Sequence, residues 1–522
     1  MRQEVNGGSG SIARGIIAVS MMAATGMGTA NGQPVPIPSF AGPYEFSAPA
    51  EPGVLAATPH GFDLVGTGTS QVPDGFAEVA VADEVGGVVQ VYRNQNLWDS
   101  LTPQLSLEPW YLVDVFDDLG ITTDLSGTDR ITQIQLVDMT GDLIPDLVVS
   151  AFSQETVGSE LVQYGHIAVF QATTDPVFTD RVTGFVYRSD LVLDLPATGF
   201  TVADYNKDGR PDVLASCVNA DGDPSLDAAR VFVARNDVDG AGAGVLYRLS
   251  DQGYPSTFHP STSVVAGEFS LVHLFPGSGT TLDFVTFGGS AAPESGDGPL
   301  AVGRGTGTGS FGFHVSSKQG TDCGGADIPG LSYGADLILD DLKPLVLFDP
   351  FASADQSLAT NISSSALRII HNRPKTGAFY HLCNGSGAAD YYVVDNCSTG
   401  GVPPIPPSAQ TASYLTSGNL NGDTYDDLVH LSPSNAKATF LLGRGTPDAN
   451  NRILQYICGS PLYELTDHDG GISGDSDYDK AICADLDNDG FDEIIISRYS
   501  RQSMNPNTWS FFVYHNTTGP SE

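Results

Sequence analysis

A chain of 522 residues with a formal net charge of −39 and an isoelectric point near 4.2 sets only 23 Lys and Arg against 62 Asp and Glu. So little positive charge excludes nucleic acid, anionic lipid and polyuronate partners, each of which needs a cationic surface. Asp outnumbers Glu 49 to 13; Asp favours turns and metal loops over helices, and divalent cations are the natural counter-charge.

Arg2 and Arg14 precede GIIAVSMMAATGMGTA (15–30), an apolar stretch too short to span a bilayer. It reads as a secretory signal with cleavage near Ala30, a disordered leader being the bland alternative. Residues 31–42 read as a linker and 517–522 as a tail, and no other segment is long and apolar enough for a membrane helix. YEFSAP (44–49) is a short strand, and HGFDLVGTGTSQVPDGFAEVAVAD (60–83) is a worn strand–turn–strand unit.

DMTGDLIPD (138–146) then runs into LVVS, and DYNKDGRPD (204–212) into VLAS. The same shape returns in NLNGDTYDD (419–427) before LVHLS and in DLDNDGFDE (485–493) before IIIS. Numbered from one to nine, these loops carry side-chain oxygens at positions 1, 3, 5 and 9. The sets are Asp138, Thr140, Asp142 and Asp146; Asp204, Asn206, Asp208 and Asp212; Asn419, Asn421, Asp423 and Asp427; and Asp485, Asp487, Asp489 and Glu493. Carboxylates this dense repel one another, and a hard cation that takes six to eight oxygens resolves the repulsion. The carbonyls of Ile144, Arg210, Tyr425 and Phe491 at position 7 supply a backbone ligand, and Gly490 permits a tight turn. An EF-hand is excluded, because its twelfth residue is a bidentate Glu and here Val149, Ala215, His430 and Ile496 stand there.

The loops start 66 residues apart within each pair, and the longer gap between the pairs holds two degenerate units. One is SVVAGEFS (263–270) with LDFVTFGG (282–289); the other is LSYGADLILDDLKPLVLFDP (331–350). Two more strands follow in each unit, for example YGHIAVFQA and GFVYRS, or KATFLLGRG and RILQYI. Seven units of four short antiparallel strands, without a helical period, describe a seven-bladed β-propeller. The last unit has only three strands, ending in WSFFVYHN (509–516), so residues 44–49 are expected to pair back and close the ring.

Other features read more blandly. NADGDPSLD (219–227) and DHDGGISGDSDYD (467–479) are taken as solvated loops, and His381 and His430 as strand residues. No G-x-S-x-G, H-E-x-x-H or phosphate loop is present. Residues 372–412 depart most from the repeat length; Tyr391 and Tyr392 there either stack on a ligand or pack the insertion down. Six cysteines suit an exported chain. Cys383 is expected to pair with Cys397 and Cys458 with Cys483, leaving Cys217 and Cys323 unassigned.

The D-x-N/D-x-D-G-x-x-D loop leading into L-V-V, with GRGTGTGSFG (303–312) and LLGRG (441–445), resembles the FG-GAP/VCBS repeat proteins over residues 43–516. The departures are Leu143 and Thr424 for the loop Gly and Asn419 for the first Asp. The resemblance implies about four structural calcium ions and a secreted or cell-surface protein. Three functions fit that scaffold: a monomeric binding or adhesion module for an extracellular protein or glycan, a lyase-type carbohydrate-active enzyme, and a purely structural surface protein.

Overall fold

Short runs of Val, Ile, Phe and Tyr separated by Gly and Asp turns make strands, because branched and aromatic side chains fit a pleated surface and Asp and Gly fit the turns. The computed structural model describes residues between 38 and 518. Residues 218–229, 254–263, 268–281, 288–299, 316–344, 371–390, 395–413 and 457–475, and shorter stretches between strands, fall outside that description. So do residues 1–37 and 519–522, which hold the expected signal and most of the linker and tail. The described residues belong to one compact unit, Pro36–Glu522, which is all-β apart from a five-residue helix, Val115–Leu119.

Among the described residues the strands assort into seven four-stranded antiparallel sheets and two small two-stranded ones, Leu64–Val65 with Val72–Pro73 and Trp98–Asp99 with Thr102–Pro103. The first holds Pro52–Ala57, Val79–Asp83, Val88–Asn94 and Leu107–Asp114, and the second Arg130–Val137, Asp146–Val157, Glu160–Thr174 and Val182–Leu193. The third holds Ala197–Ala203, Asp212–Cys217, Arg230–Val238 and Gly244–Gly253; the fourth Val264–Gly267, Asp283–Phe287, Leu300–Gly305 and Phe311–Val315. The fifth is Leu345–Phe348, Ser357–Ser363, Ala366–Ile370 and Tyr391–Val394, and the sixth Tyr414–Gly418, Asp427–Ser432, Lys437–Gly443 and Leu454–Tyr456. The seventh takes Ser476–Ala484, Glu493–Ser500 and Trp509–Asn516 from the end of the chain and Phe40–Ala48 from its beginning.

That last pairing is the one expected of residues 44–49, and it starts earlier, with Phe40 opposite Asn516. It reaches beyond the strands, since the Thr517 N–H donates to the Ser39 carbonyl at 2.7 Å. The first strand of each sheet touches the first strand of the next, and Ser476–Ala484 of the seventh touches Pro52–Ala57 of the first.

The core lies between neighbouring sheets. Leu147, Val149 and Phe170 of the second sheet pack with Ala80, Val89 and Val91 of the first, while Val148, Ile167 and Val169 meet Phe200, Val213 and Phe232 of the third. Alternate residues of one strand thus serve opposite neighbours, as a period of two requires. Phe511 is wedged between Tyr92 of the first sheet, at 4.9 Å edge-on, and Phe46, stacked at 5.3 Å. Burial of each such ring is worth about 1.5–3 kcal/mol.

Two sequence expectations shift. LVLF (345–348) is the first strand of the fifth sheet, pairing with Ser357–Ser363, so the LDD stretch before it does not lie between that sheet's first two strands. Tyr391 and Tyr392 lie on the fourth strand, opposite Ile370 and Ile369. The supposed insertion therefore supplies a regular strand.

Candidate metal centre

Each nine-residue loop leaves the first strand of its sheet and ends on the first residue of the second: Asp146, Asp212, Asp427 or Glu493. Position 2 is a buried apolar or aromatic anchor, being Met139, Tyr205, Leu420 or Leu486. Between these fixed points the backbone folds around the position-1 side chain. Asp138 accepts N–H bonds from Gly141 at 2.7 Å and Leu143 at 2.8 Å, Asp204 from Asp208 at 3.1 Å and Gly209 at 2.9 Å. Asn419 accepts from Gly422 at 2.9 Å, and Asp485 from Asp489 at 3.1 Å and Gly490 at 2.9 Å.

Position 5 takes the N–H of position 7 in every loop. Ile144 donates to Asp142 at 2.9 Å, Arg210 to Asp208 at 3.0 Å, Tyr425 to Asp423 at 2.8 Å and Phe491 to Asp489 at 2.8 Å. At position 3, Asn206, Asn421 and Asp487 accept from the backbone of Asp208, Asp423 and Asp489 at 2.8, 3.0 and 3.3 Å. Thr140 instead donates its hydroxyl to Asp138 at 3.4 Å. The four ligand positions of each loop are thereby brought onto one turn.

Position 9 is fully buried in all four loops and clasped from two sides. Asp146 accepts from the backbone of Met139 and of Ala172 at 2.8 Å each, Asp212 from Asn206 at 3.2 Å and Asn236 at 3.0 Å. Asp427 accepts from Leu420 at 3.0 Å and Gly443 at 2.8 Å, and Glu493 from Leu486 at 2.6 Å and Asn516 at 3.3 Å. One oxygen holds the loop and the other the third strand of the sheet.

Position 4 of all four loops and position 6 of three take a left-handed conformation, and the sequence pattern marks only position 6. Position 4 is left-handed in all four, at Gly141 (φ 80°), Lys207 (62°), Gly422 (72°) and Asn488 (58°). Position 6 is so at Leu143 (71°), Gly209 (88°) and Gly490 (88°), while Thr424 lies outside the described residues. Gly, Asn and Lys at position 4 were a visible but weak signal.

The electrostatics are those of crowded acids. Burial, reinforced by neighbouring carboxylates, pushes Asp146 up to about 7, Asp212 to about 6 and Asp427 to about 8. Burial also drives Asp487 to about 8, with Glu493 and Asp489 adding to it, and lifts Glu493 well above the usual carboxylate range. In the last loop the ligand atoms of Asp485, Asp487 and Asp489 lie within 4.8 Å of one another, as do those of Asp487, Glu493 and His515.

Loops of adjacent sheets also meet. The Asn419 N–H donates to Asp492 at 2.7 Å, the Asp492 N–H to the Asn419 carbonyl at 2.8 Å, and Gly422 lies against the Phe491 ring. On the other side Gly75 abuts the Asn488 side chain. Gly75 belongs to a remnant of the same loop in the first sheet, where the Phe76 N–H donates to Asp74 at 3.1 Å, Gly75 is left-handed (φ 90°), and Glu78, fully buried, precedes the second strand. Asp74, Gly75, Phe76 and Glu78 thus keep positions 5, 6, 7 and 9 in a stretch whose first half has diverged.

Of the remaining sequence features, residues 219–227, His381, Cys323, Cys383, Cys397 and Cys458 lie outside the described residues. The acidic stretch 467–479 is described only from Ser476, where it opens the strand Ser476–Ala484. His430 is a strand residue within Asp427–Ser432. Cys217 is buried, and Cys483 is a free thiol, which corrects its expected pairing with Cys458. The Cys483 side chain packs between the sixth and seventh sheets beside Gly418. Burial pushes its thiol well up, with nearby Asp492 adding to the effect.

A second polar cluster, unforeseen from sequence, lies across three strands of the second sheet. Ser153 Oγ is 2.8 Å from His166 Nε2, His166 Nδ1 is 3.5 Å from Asp190 Oδ2, and the Tyr187 hydroxyl donates to Asp190 at 2.7 Å. The order is that of a nucleophilic triad, but the N–H after Ser153, on Gln154, donates to the Asp129 carboxylate at 2.9 Å. A carboxylate where an oxyanion donor is needed opposes acyl transfer, and the network reads as a polar patch linking three strands.

No family model matches the chain, and no curated protein matches it.

Proposed function

We propose that the chain is a secreted, calcium-stabilised seven-bladed β-propeller of the FG-GAP/VCBS kind, serving as an extracellular binding or adhesion module for a protein or glycan. The observation that carries the metal part is the fourfold recurrence of one acidic turn with a buried carboxylate at position 9; in three of the loops burial raises that carboxylate's pKa, with neighbouring carboxylates adding to it. Loops 138–146, 204–212 and 419–427 offer oxygen donors alone, the set a hard ion takes at about 2.3–2.6 Å. The cyclic contact of first strands and the pairing of Phe40–Ala48 with Trp509–Asn516 support the ring of blades. Connections on such a scaffold can carry recognition, and the charge of −39 directs the search to partners other than polyanions.

Extracellular-type sites have dissociation constants of about 10⁻⁴–10⁻³ M, so each site adds roughly 0.4–1.4 kcal/mol at millimolar calcium. Calorimetric melting with calcium and with EGTA tests the metal reading, and an unchanged Tm would sink it. Glycan and protein arrays probed under both conditions test the binding role. A ligand retained only with calcium is the expected result, and blank arrays in both conditions would leave a structural role in its place.

A further inference from the structure

The loop 485–493 differs from the other three at two places that touch each other. Position 3 is Thr140, Asn206 or Asn421 elsewhere and carries no charge; here it is the carboxylate of Asp487. The second difference lies on the third strand of the sheet. Ile494 pairs with Tyr514, as Leu147 does with Phe170, Val213 with Ala234 and Leu428 with Leu441. One residue further on, alongside position 9, the other sheets carry Gln171, Arg235 and Leu442, and the seventh carries His515. His515 is buried, and its Nδ1 lies 3.1 Å from Glu493 Oε1 and 3.9 Å from Asp487 Oδ2.

We propose that the 485–493 loop is a mixed nitrogen–oxygen centre, closed by His515 Nδ1 together with Asp487 and Glu493, which takes a first-row divalent ion of the zinc or manganese kind in preference to calcium. The inference rests on the reading that these loops hold cations, and it sets this loop apart from its three sisters. Imidazole suits zinc and its neighbours, whereas calcium takes oxygen. First-row ions bind N and O at about 2.0–2.2 Å, so ligands around one ion stand about 3–4 Å apart, and the ligand atoms of Asp487, Glu493 and His515 all lie within 4.8 Å of one another. His515 Nδ1 and Glu493 Oε1 share a hydrogen bond at 3.1 Å, which an ion bound between them would replace. Asp487 at 3.9 Å from the same nitrogen fits a wider angle about the same centre.

The test uses the full-length chain, titrated with Zn²⁺ by calorimetry in millimolar calcium, beside His515→Gln. One equivalent of zinc is expected to bind the parent despite the calcium, and His515→Gln to lose about tenfold or more in zinc affinity while its calcium titration stays within about twofold. Zinc no tighter than calcium in the parent, or equal loss of both ions in the variant, would overturn the proposal. Should the variant fold poorly, pulsed electron paramagnetic resonance of the unaltered chain, labelled with ¹⁵N-histidine and given one equivalent of Mn²⁺, decides instead: coupling to one histidine nitrogen is expected, and its absence overturns the assignment. Calcium binding with no dependence of zinc on His515 removes this inference alone. A chain whose zinc depends on His515 but which takes no calcium anywhere removes the calcium reading and leaves this one standing.

Discussion

Asn516 donates its side-chain amide to the carbonyl of Leu420 at 2.8 Å, so the third strand of the seventh sheet is tied to position 2 of the loop in the sixth. The same amide reaches the Asp492 carbonyl, position 8 of its own loop, at 3.1 Å. Asn94 repeats both contacts one sheet on, with Leu486 at 2.6 Å and Ala77 at 3.1 Å, and Asn236 reaches Met139 at 2.6 Å. Glycines stand at the matching place in the fourth and sixth sheets, where a Cβ on Gly305 or Gly443 would press on the carbonyl of Leu282 or Asp426. The acidic loops are therefore part of the seam between sheets.

Asn516→Ala removes donors from two carbonyls and is expected to cost about 1–3 kcal/mol, read as a lower urea midpoint at unchanged m. A change below about 0.5 kcal/mol would mean that water replaces the amide.

Leu143 is 57% exposed and left-handed, at the position filled by Gly209 and Gly490 in two sister loops. Its backbone conformation costs about 1–2 kcal/mol for a residue with a Cβ, and little packing is lost with the side chain. Leu143→Gly is accordingly expected to raise stability by about 1 kcal/mol, less the extra freedom glycine gives the unfolded chain. A destabilised variant in the same melt would contradict the strain.

Without metal, the chain should lose stability as pH rises. Asp212 titrates near 6, Asp146 near 7, and Asp427 and Asp487 near 8 in the folded state, all raised first by burial, against about 3.9 unfolded. The native chain thus binds the extra protons across this window, and folding is favoured below about pH 4 and progressively less favoured up to about pH 8. Melting in EGTA should give a lower Tm at pH 8 than at pH 5. Calcium, which competes with those protons, should flatten or reverse the slope; a Tm that rises with pH in EGTA would refute the assignment.

Deleting residues 40–48 strips Trp509–Asn516 of its outer partner and exposes its edge. It also removes Phe46 from the Phe511 ring. Faster proteolysis within residues 493–516, or association of the truncated chain, is the expected outcome of limited digestion and light scattering. A truncated chain as resistant and monomeric as the parent would show that the pairing is dispensable.

What was legible in the sequence was local. Nine-residue spacing of oxygens followed by an apolar strand identifies Asp138–Asp146 and its three sisters, because ligands and turn lie on one short segment. The remnant at Asp74 to Glu78 keeps only its second half, so pattern reading found a worn unit without its surviving turn. The first two strands of the fifth sheet, Leu345–Phe348 and Ser357–Ser363, have no nine-residue acidic signature between them, and the acidic LDD stretch upstream resembles one more closely. His515, Asn94, Asn236 and Asn516 act on loops in other strands or other sheets, and the Ser153–His166–Asp190 network assembles three strands. Nothing in the spacing of one segment announces a partner nearly a hundred residues away, as with Asn516 and Leu420.

Phe40–Ala48 has a consequence in time. It is the first described strand to be synthesised, and its sheet neighbour among the described residues, Trp509–Asn516, is the last of them. At about 5–20 residues per second, translation separates them by roughly 20–90 s, far longer than the microseconds in which a local hairpin forms. Through that interval the early strand has apolar Phe46 and no edge to join, and Tyr92 and Val79 of the first sheet wait for Phe511. Maturation must therefore end in one long-range step that no segment can take early, so a chaperone that shields the N-terminal strand should speed the yield of native protein more than one acting on any internal hairpin.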